Sequence, residues 1–402
     1  RLANLLPSPN SRHSPLFFQD IVIPFFCYYA TAVLVLISNT RTVRICVLPL
    51  SLWVFFNGAT KIDLVKDYNN SERLVFLNQG LTVVYTVLSL RVIAWTFRKK
   101  PYMRLKTLRA VTPQVYVAFP PTFRHKQVFI DAFELSCNLR GTGWNWSQYL
   151  QIPQETRPTN SAPAFAATSF LSLILHLAMF DIFQYSIQWL GPSAVGSAEG
   201  GSIFDASLPP FLRYSKSTII TFLGGMMIYS VVQAGYHVLT IIGVLVFRQD
   251  TSLWPPAFRS PWFSTSLTEF WAKRWHQLFR DVFIAVGGKP LSLFLGRLGG
   301  ILGVFIISGV LHALGLWGMG RGTDFLKVGG FFFMNGLGIC FEHLWRSTIG
   351  QRVGGWYGWV WTMVWVIGWG HTIMEAWATK GLIGSAFLPQ DMRITTHIFG
   401  PL

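Results

Sequence analysis

Several ionisable residues stand inside strongly apolar stretches, among them His176, Asp181, His237, His312, Glu342, His343, His371 and Glu375. A charge or imidazole in such surroundings is costly, so each has a structural partner or a function. His312 is the strongest candidate for chemistry. It lies in Ile307-Ser-Gly-Val-Leu-His-Ala-Leu-Gly315, with Ser308 and Gly309 four and three residues before it on the same helical face. Small residues there admit close approach by another helix or a substrate. A neutral imidazole in a dry pocket is a competent general base. His176 and Asp181 form an H-x4-D pair in the middle of an apolar segment and are read as structural.

A second cluster lies in Ser264–Arg280, STSLTEFWAKRWHQLFR. Ser266 and Glu269 have the S-x-x-E spacing of a capping box, so a helix is expected to begin here. At about 100° per residue, Glu269, Lys273, His276 and Arg280 share one face, with Trp271, Trp275, Leu278 and Phe279 opposite. Two readings stay open from the spacing alone: a membrane-surface anchor, or a basic, imidazole-bearing face that serves chemistry at that surface. Lys273, Arg274 and Arg280 suit either phosphate groups or anionic lipid. There is no G-x-S-x-G elbow, H-E-x-x-H metal motif or Walker A motif. No metal is called for, and direct attack by a base-activated substrate is the simplest enzymatic scheme.

The elements that must position these residues follow from composition. Of 402 residues, 51% are hydrophobic and only 12% charged, against roughly 25% in soluble chains. That marks an integral membrane protein, and 17 Trp and 34 Phe suit interfacial belts and lipid-facing surface. The net charge of +16 is then explained by basic cytosolic loops rather than nucleic acid, for which no zinc-finger spacing or RNA-binding signature appears. Cys27, Cys46, Cys137 and Cys340 include no C-x-x-C, so neither a disulfide framework nor a zinc site is expected. The chain begins with Arg, which leaves its N-terminal completeness open; the first apolar run reads as a span, not a cleaved signal.

Spans of about 20 apolar residues are expected at 21–38, 42–59, 74–95, 165–190, 217–247, 294–317, 326–345 and 355–379. The fifth is long enough to tilt or to break near Gly235, and 281–293 has the character of a segment that dips into the membrane. The fold class is thus all-α and polytopic, with about eight transmembrane helices plus a cytosolic amphipathic helix. One domain is expected over 1–402: an N-terminal segment 1–20, a basic loop 96–164, a lumenal loop 191–216, a motif segment 248–293 and core spans 294–379. Lys/Arg bias places the loops 96–164 and 248–293 on the same, cytosolic side. Within the first, Arg140-Gly-Thr-Gly-Trp-Asn-Trp146 reads as a tight turn anchored at the membrane surface; no G-K-[ST] follows to make it a phosphate loop.

Trp254-Pro-Pro-x-Phe258, Pro261 and Ser266-Leu-x-Glu-Phe-Trp-x-x-Arg-Trp-His-Gln277 resemble the signature of the wax synthase-like branch of membrane-bound O-acyltransferases. Ser308-Gly-x-x-His312 is similar to the family's intramembrane histidine motif, and Phe332-Phe-x-x-x-Gly-x-x-x-x-Glu342 to its following span. Arg140-Gly-x-Gly-Trp-x-Trp146 resembles a motif of fungal members. The resemblance covers about 140–345. Ala272 stands where the motif has Gly, and Lys273-Arg274 replaces Arg-Arg with the basic charge kept.

The resemblance implies a fold enclosing a tunnel and acyl transfer from acyl-coenzyme A to a hydroxyl. His312 matches the family's catalytic histidine and His276 its second Asn/His position. Lys273, Arg274, Trp275 and Arg280 are then the expected coenzyme-binding residues. No permanently bound cofactor is implied; acetyl-CoA is the expected co-substrate, and a hydrophobic alcohol and the lipid bilayer the expected partners, in the endoplasmic reticulum. The fungal-type motifs point to acetylation of a terpenoid, meroterpenoid or polyketide. The alternatives are a wax-ester synthase using long-chain acyl-CoA and a fatty alcohol, and a non-enzymatic lipid transporter. A transporter predicts internal symmetry, which the sequence does not show.

Overall fold

The computed structural model describes residues 9–107, 116–118, 125–146 and 150–401. Among the described residues, seven helical stretches are long and apolar enough to cross a membrane: Phe17–Leu36, Arg41–Lys61, Phe76–Phe97, Ala162–Leu190, Pro210–Leu245, Arg280–Gly318 and Phe325–Ile349. The eighth expected span forms a helix too, Gly355–Thr379. Its sequence is rich in Trp and Gly, which are less apolar on a hydropathy scale than Leu or Ile. The fold class is therefore the expected helical polytopic one; among the described residues a short antiparallel ladder pairs β1 (Leu105–Thr107) with β2 (Tyr116–Ala118). Arg109 and Arg124 of the basic loop, and residues 1–8 of the N-terminal segment, lie outside the described residues.

The chain divides into two compact units that interleave in sequence: Arg1–Asp67, Asn78–Leu150 and Gln277–Gly320 in one, Tyr68–Leu77, Gln151–His276 and Arg321–Leu402 in the other. The first unit contains α1 (Ile23–Leu36), α2 (Arg41–Lys61), most of α3 (Phe76–Phe97) and α4 (His125–Cys137). Their shared core includes Tyr28, Val35, Phe55, Tyr85, Trp95, Leu135 and Trp144. Gly58 is needed where α2 meets α3, since a Cβ there would sit 2.5 Å from the Tyr85 ring.

Two buried arginines of this unit cap helix ends. Arg44, in the first turn of α2, donates to the carbonyls of Trp95 and Arg98 at the end of α3. Arg91 donates to Leu135 and Asn138 carbonyls at the end of α4 and lies over the Trp95 ring at 4.9 Å. The last carbonyls of a helix have no partner of their own and carry partial negative charge, so a buried cation is stabilised there.

The Arg140–Trp146 turn is tied to α4 and to the strand before it. Gly141 and Gly143 take φ of +71° and +81°, as tight turns of this kind require. Leu105 N–H donates to the Gly143 carbonyl and Asn145 N–H to Met103. Trp144 is 1% exposed, donates its indole N–H to Glu134, and lies under the Arg104 guanidinium. Arg104 in turn pairs with Asp131 and Glu134, both on α4.

The 281–293 stretch is helical. α8 (Arg280–Phe283) runs through a π-helical turn, Ile284–Gly288, into α9 (Lys289–Gly318). Inside α9 the helix breaks at Leu295 and Gly296, where Gly296 has φ of +57°. The two limbs then pack back to back. A Cβ at Gly287 would come 2.2 Å from the Gly303 carbonyl oxygen, and one at Gly299 2.4 Å from that of Leu291. Residues sixteen apart on a straight helix would be about 24 Å apart. The segment is therefore a helical hairpin whose glycines allow the backbones to touch, with Leu293 and Phe294 exposed at the tip.

The second unit is built on α5 (Ala162–Leu190) and α6 (Pro210–Leu245), which pack along their length, with α11 (Gly355–Thr379) against α6 and α10 (Phe325–Ile349) against α11. The break considered near Gly235 does not occur: α6 is one helix of 36 residues. Its length of about 54 Å exceeds the hydrocarbon core, so it extends past the bilayer or tilts. The expected loop 191–216 is shorter than its bounds, because α6 starts at Pro210. Asp181 has the structural role expected of it: it pairs with Arg393 and accepts from Thr395 N–H and hydroxyl at the start of α12 (Ile394–Phe399). Glu375 likewise holds the 191–209 connection through Ser202 and the Ile203 N–H.

Candidate active site

The expected single amphipathic helix over 264–280 is not what forms. Ser266 does cap a helix, its Oγ accepting from Glu269 N–H at 3.0 Å. That helix, α7 (Leu267–Glu269), continues only as a π-helical turn, Phe270–Arg274. Trp275 then turns extended, with ψ of 154°. The physical cause is the preceding loop. Arg259 N–H takes the Arg274 carbonyl at 2.9 Å, a group that a continuing helix would need. Glu269, Lys273, His276 and Arg280 therefore do not share one helical face. Arg280 begins α8 in the first unit, whereas the other three belong to the second.

Two residues of α10 hold this short helix in place. Glu342 directs its carboxylate at the first N–H groups of α7: Oε1 accepts from Leu267 N–H at 2.5 Å and Oε2 from Thr268 N–H at 2.9 Å. Thr268 hydroxyl and Trp361 indole N–H add bonds at 2.7 and 3.2 Å. A carboxylate at a helix N-terminus satisfies orphan donors and meets the positive end of the dipole. Asn335 accepts from the Trp271 indole at 3.0 Å and returns its own amide N–H to the Phe331 carbonyl. Sequence reasoning noticed Glu342 as an intramembrane charge without a partner to assign, and overlooked Asn335. Its only signal was a carboxamide inside an apolar run.

Glu269 is a structural carboxylate rather than an acid catalyst. Its Oε2 accepts from Thr265 N–H and hydroxyl, and its Oε1 from Arg274 Nε at 2.8 Å. Burial works to raise its pKa, but these bonds and the Arg274 charge together hold it below the usual glutamate range. The rest of the Arg274 guanidinium donates to Arg259 and Ser260 carbonyls. Of the expected coenzyme-binding residues, Arg274 is thus committed to the loop. Trp275 is packed in an aromatic cluster, stacked on Phe270 at 5.4 Å and edge-on to Phe258 at 5.0 Å. Lys273 is exposed, and Arg280 is partly buried.

His276 follows directly in the extended stretch. Phe258, from the Trp254–Phe258 motif, meets its ring edge-on at 5.5 Å. The Trp254 motif is itself anchored: Arg157, paired with Glu155, donates to the Trp254 carbonyl, and Tyr236 donates to that of Pro255. Phe258 and Trp275, the latter at 5.8 Å, are therefore aromatic rings beside His276, and the anchored Trp254–Pro255 stretch leads into Phe258.

In the first unit, His312 sits on α9 with Nδ1 2.7 Å from the Ser308 carbonyl. A carbonyl only accepts, so Nδ1 carries the proton and Nε2 is the basic nitrogen. The geometry fixes the tautomer needed by a base and aims it through one backbone bond. Beyond His312, Gly315 and Gly318 let α9 pack directly on α3, where a Cβ would meet Val83 at 2.7 Å and Thr82 at 2.3 Å. Arg12 closes the end of α9 by donating to the Gly318 carbonyl and lying over Trp317.

These features define a polytopic helical membrane protein that presents a basic imidazole on a membrane helix and a second one beside a capped, aromatic-walled turn. Residues 254–334 match the model of the membrane bound O-acyl transferase family, so this segment is similar to that family. Relatives include O-mevalon transferase yanI of Aspergillus niger, 25% identical over 58% of this chain and 58% of its own. Acetyltransferase aurG of Calcarisporium arbuscula is 30% identical over 38% of this chain and 41% of its own. A long-chain-alcohol O-fatty-acyltransferase of Simmondsia chinensis is 26% identical over 24% of this chain and 30% of its own. The chain thus matches less than two thirds of the length of each of these relatives.

Proposed function

We propose that the protein is a membrane-bound O-acyltransferase that moves an acetyl group from acetyl-CoA to a hydroxyl of a lipophilic terpenoid, meroterpenoid or polyketide. The observation that carries this reading is His312, whose Nδ1–H is held by the Ser308 carbonyl so that Nε2 is the base. Nε2 takes the proton of the substrate hydroxyl as its oxygen attacks the thioester carbonyl. The C–S bond then breaks, and the coenzyme thiolate recovers the proton from the imidazolium. A positioned base of this kind contributes about 10²–10⁴-fold. His276 is assigned to orienting the thioester or stabilising its oxyanion. Lys273 and Arg280 are the basic residues assigned to the coenzyme phosphates. Arg274 and Trp275 act instead through the fold, by holding the segment that carries His276.

Acetyl is favoured because aurG, among the relatives, is named as an acetyltransferase. A second reading, transfer of a long fatty acyl chain to a fatty alcohol, is favoured by the long-chain-alcohol O-fatty-acyltransferases among them. We assign the protein to the endoplasmic reticulum membrane. The test is to incubate microsomes carrying the protein with labelled acetyl-CoA or long-chain acyl-CoA and a panel of terpenoid and fatty alcohols. Acetyl esters of a terpenoid alcohol are expected. Esters formed only with long-chain acyl-CoA would replace the acetyl reading, and no ester with any pair would overturn acyl transfer.

A further inference from the structure

The α5–α6 pair holds a second histidine cluster that the acyl-transfer scheme does not use. His176 of α5 and His237 of α6 stack ring on ring, with centroids 5.8 Å apart and planes 14° apart. They are 9% and 7% exposed. The Nδ1 atom of each is buried and has no hydrogen-bond partner among the described residues. Buried polar atoms are paired almost without exception, because an unpaired one keeps the full cost of leaving water. Here two such atoms belong to one pair of stacked rings between adjacent membrane helices.

The surroundings restrict what that pair can bind. Tyr229 meets His176 edge-on at 5.5 Å and Tyr236 meets His237 edge-on at 6.5 Å, so the walls are aromatic. The charged groups that act on His237, Arg157 and Glu155, are spent on each other in an ion pair at 2.7 Å. Among the described residues, these give His237 no free cation to receive a phosphate or carboxylate. A neutral imidazole nitrogen either donates or accepts, according to tautomer. A pair of them therefore suits a neutral oxygen function on a lipophilic molecule. The cluster is also joined to the motif segment. Tyr229 packs on Phe258 at 4.8 Å and on Trp262 at 5.2 Å, and Phe258 is the ring beside His276.

We propose that His176 and His237 form a binding site for a second oxygen function, a hydroxyl or a ketone, of the lipophilic acceptor alcohol, joined to His276 by the aromatic wall of Tyr229 and Phe258. The proposal rests on the acyl-transfer reading for the identity of its ligand as an acceptor. It makes the preferred acceptor a multiply oxygenated compound rather than a simple fatty alcohol.

The test uses the full-length protein in nanodiscs with His176→Leu, His237→Leu and the double variant. The probes are a sesquiterpene diol and the matching mono-alcohol, with acetyl-CoA. Losing a neutral hydrogen bond costs about three- to tenfold in binding, so KM for the diol rises by that factor per imidazole removed. The kcat for the diol and the KM for the mono-alcohol stay as in the wild type. Leucine removes a buried Nδ1 that has no partner among the described residues and keeps an apolar side chain in the helix, so the melting temperature is expected to stay close to the wild type. An unchanged diol KM, or an equal rise for both alcohols, overturns the site. Tryptophan-fluorescence titration with the diol alone reads binding without turnover. If no ester forms with either alcohol, the acyl-transfer reading fails on its own. In that case weaker diol binding in the double variant sustains the site, and equal binding overturns it.

Discussion

Glu342→Gln is the perturbation that most directly probes how the motif segment is held. The carboxylate accepts four hydrogen bonds, from Leu267 N–H, Thr268 N–H, Thr268 hydroxyl and Trp361 indole. An amide keeps one accepting oxygen and turns an NH2 group toward the other donors. Hydrogen bonds to a charged acceptor are worth roughly 1.5–3 kcal/mol each, and two are lost. Removing the buried charge returns part of its desolvation cost, which leaves a net loss of about 2–4 kcal/mol at this contact. That is enough to open the short helix Leu267–Arg274 in an appreciable fraction of molecules while the long membrane helices stay folded. The expected outcome is faster protease cleavage within 254–276, a lower melting temperature in detergent, and a fall in kcat larger than any change in KM. Glu342→Asp, which keeps the charge on a shorter arm, should recover part of the activity. Wild-type protection of 254–276 together with wild-type activity in Glu342→Gln would refute the reasoning.

Two further outcomes follow from the same geometry. Gly287→Ala must push the limbs of the 280–318 hairpin apart, because its Cβ would lie 2.2 Å from a backbone oxygen, whereas Gly300→Ala meets nothing closer than 3.5 Å. Fluorescence-detected size exclusion after heating should show Gly287→Ala collapsing well below the wild type and Gly300→Ala close to it. Glu269 has a folded pKa below its ordinary value of about 4.3, so its bonds contribute stability that is complete above that pH and is lost as pH falls through the depressed value. The melting-temperature gap between wild type and Glu269→Gln should thus be widest near neutrality and shrink in acid; a gap that widens in acid would show that the carboxylate is not the stabilising form.

The sequence made the long helices plain, because mean apolarity over a span-length window is a local property. What it concealed was set by distant partners. The stop at Trp275 depends on Arg259 taking the Arg274 carbonyl, a contact that helical periodicity cannot reveal. The hairpin hid because helix propensity runs straight through Leu295, and its glycines at 287, 299 and 303 looked like ordinary small residues of a span. Glu342 and Asp181 stood out as costly charges, yet their partners lie 75 and 212 residues away. His312 was legible for a different reason. Its hydrogen-bond acceptor is Ser308 on its own helix, four residues before it, so the spacing already contained the geometry. His276 was singled out only by its motif, and its setting is an extended turn rather than the expected helical face.

The central claim is that His312 supplies the base for acyl transfer. Wild type and His312→Ala, matched for expression and for melting temperature in detergent, should be compared for initial rates of labelled acetyl ester formation on the best terpenoid alcohol found in the panel. If His312 is the base, kcat falls about 10²–10⁴-fold with KM little changed. Equal rates in the two folded proteins would contradict it.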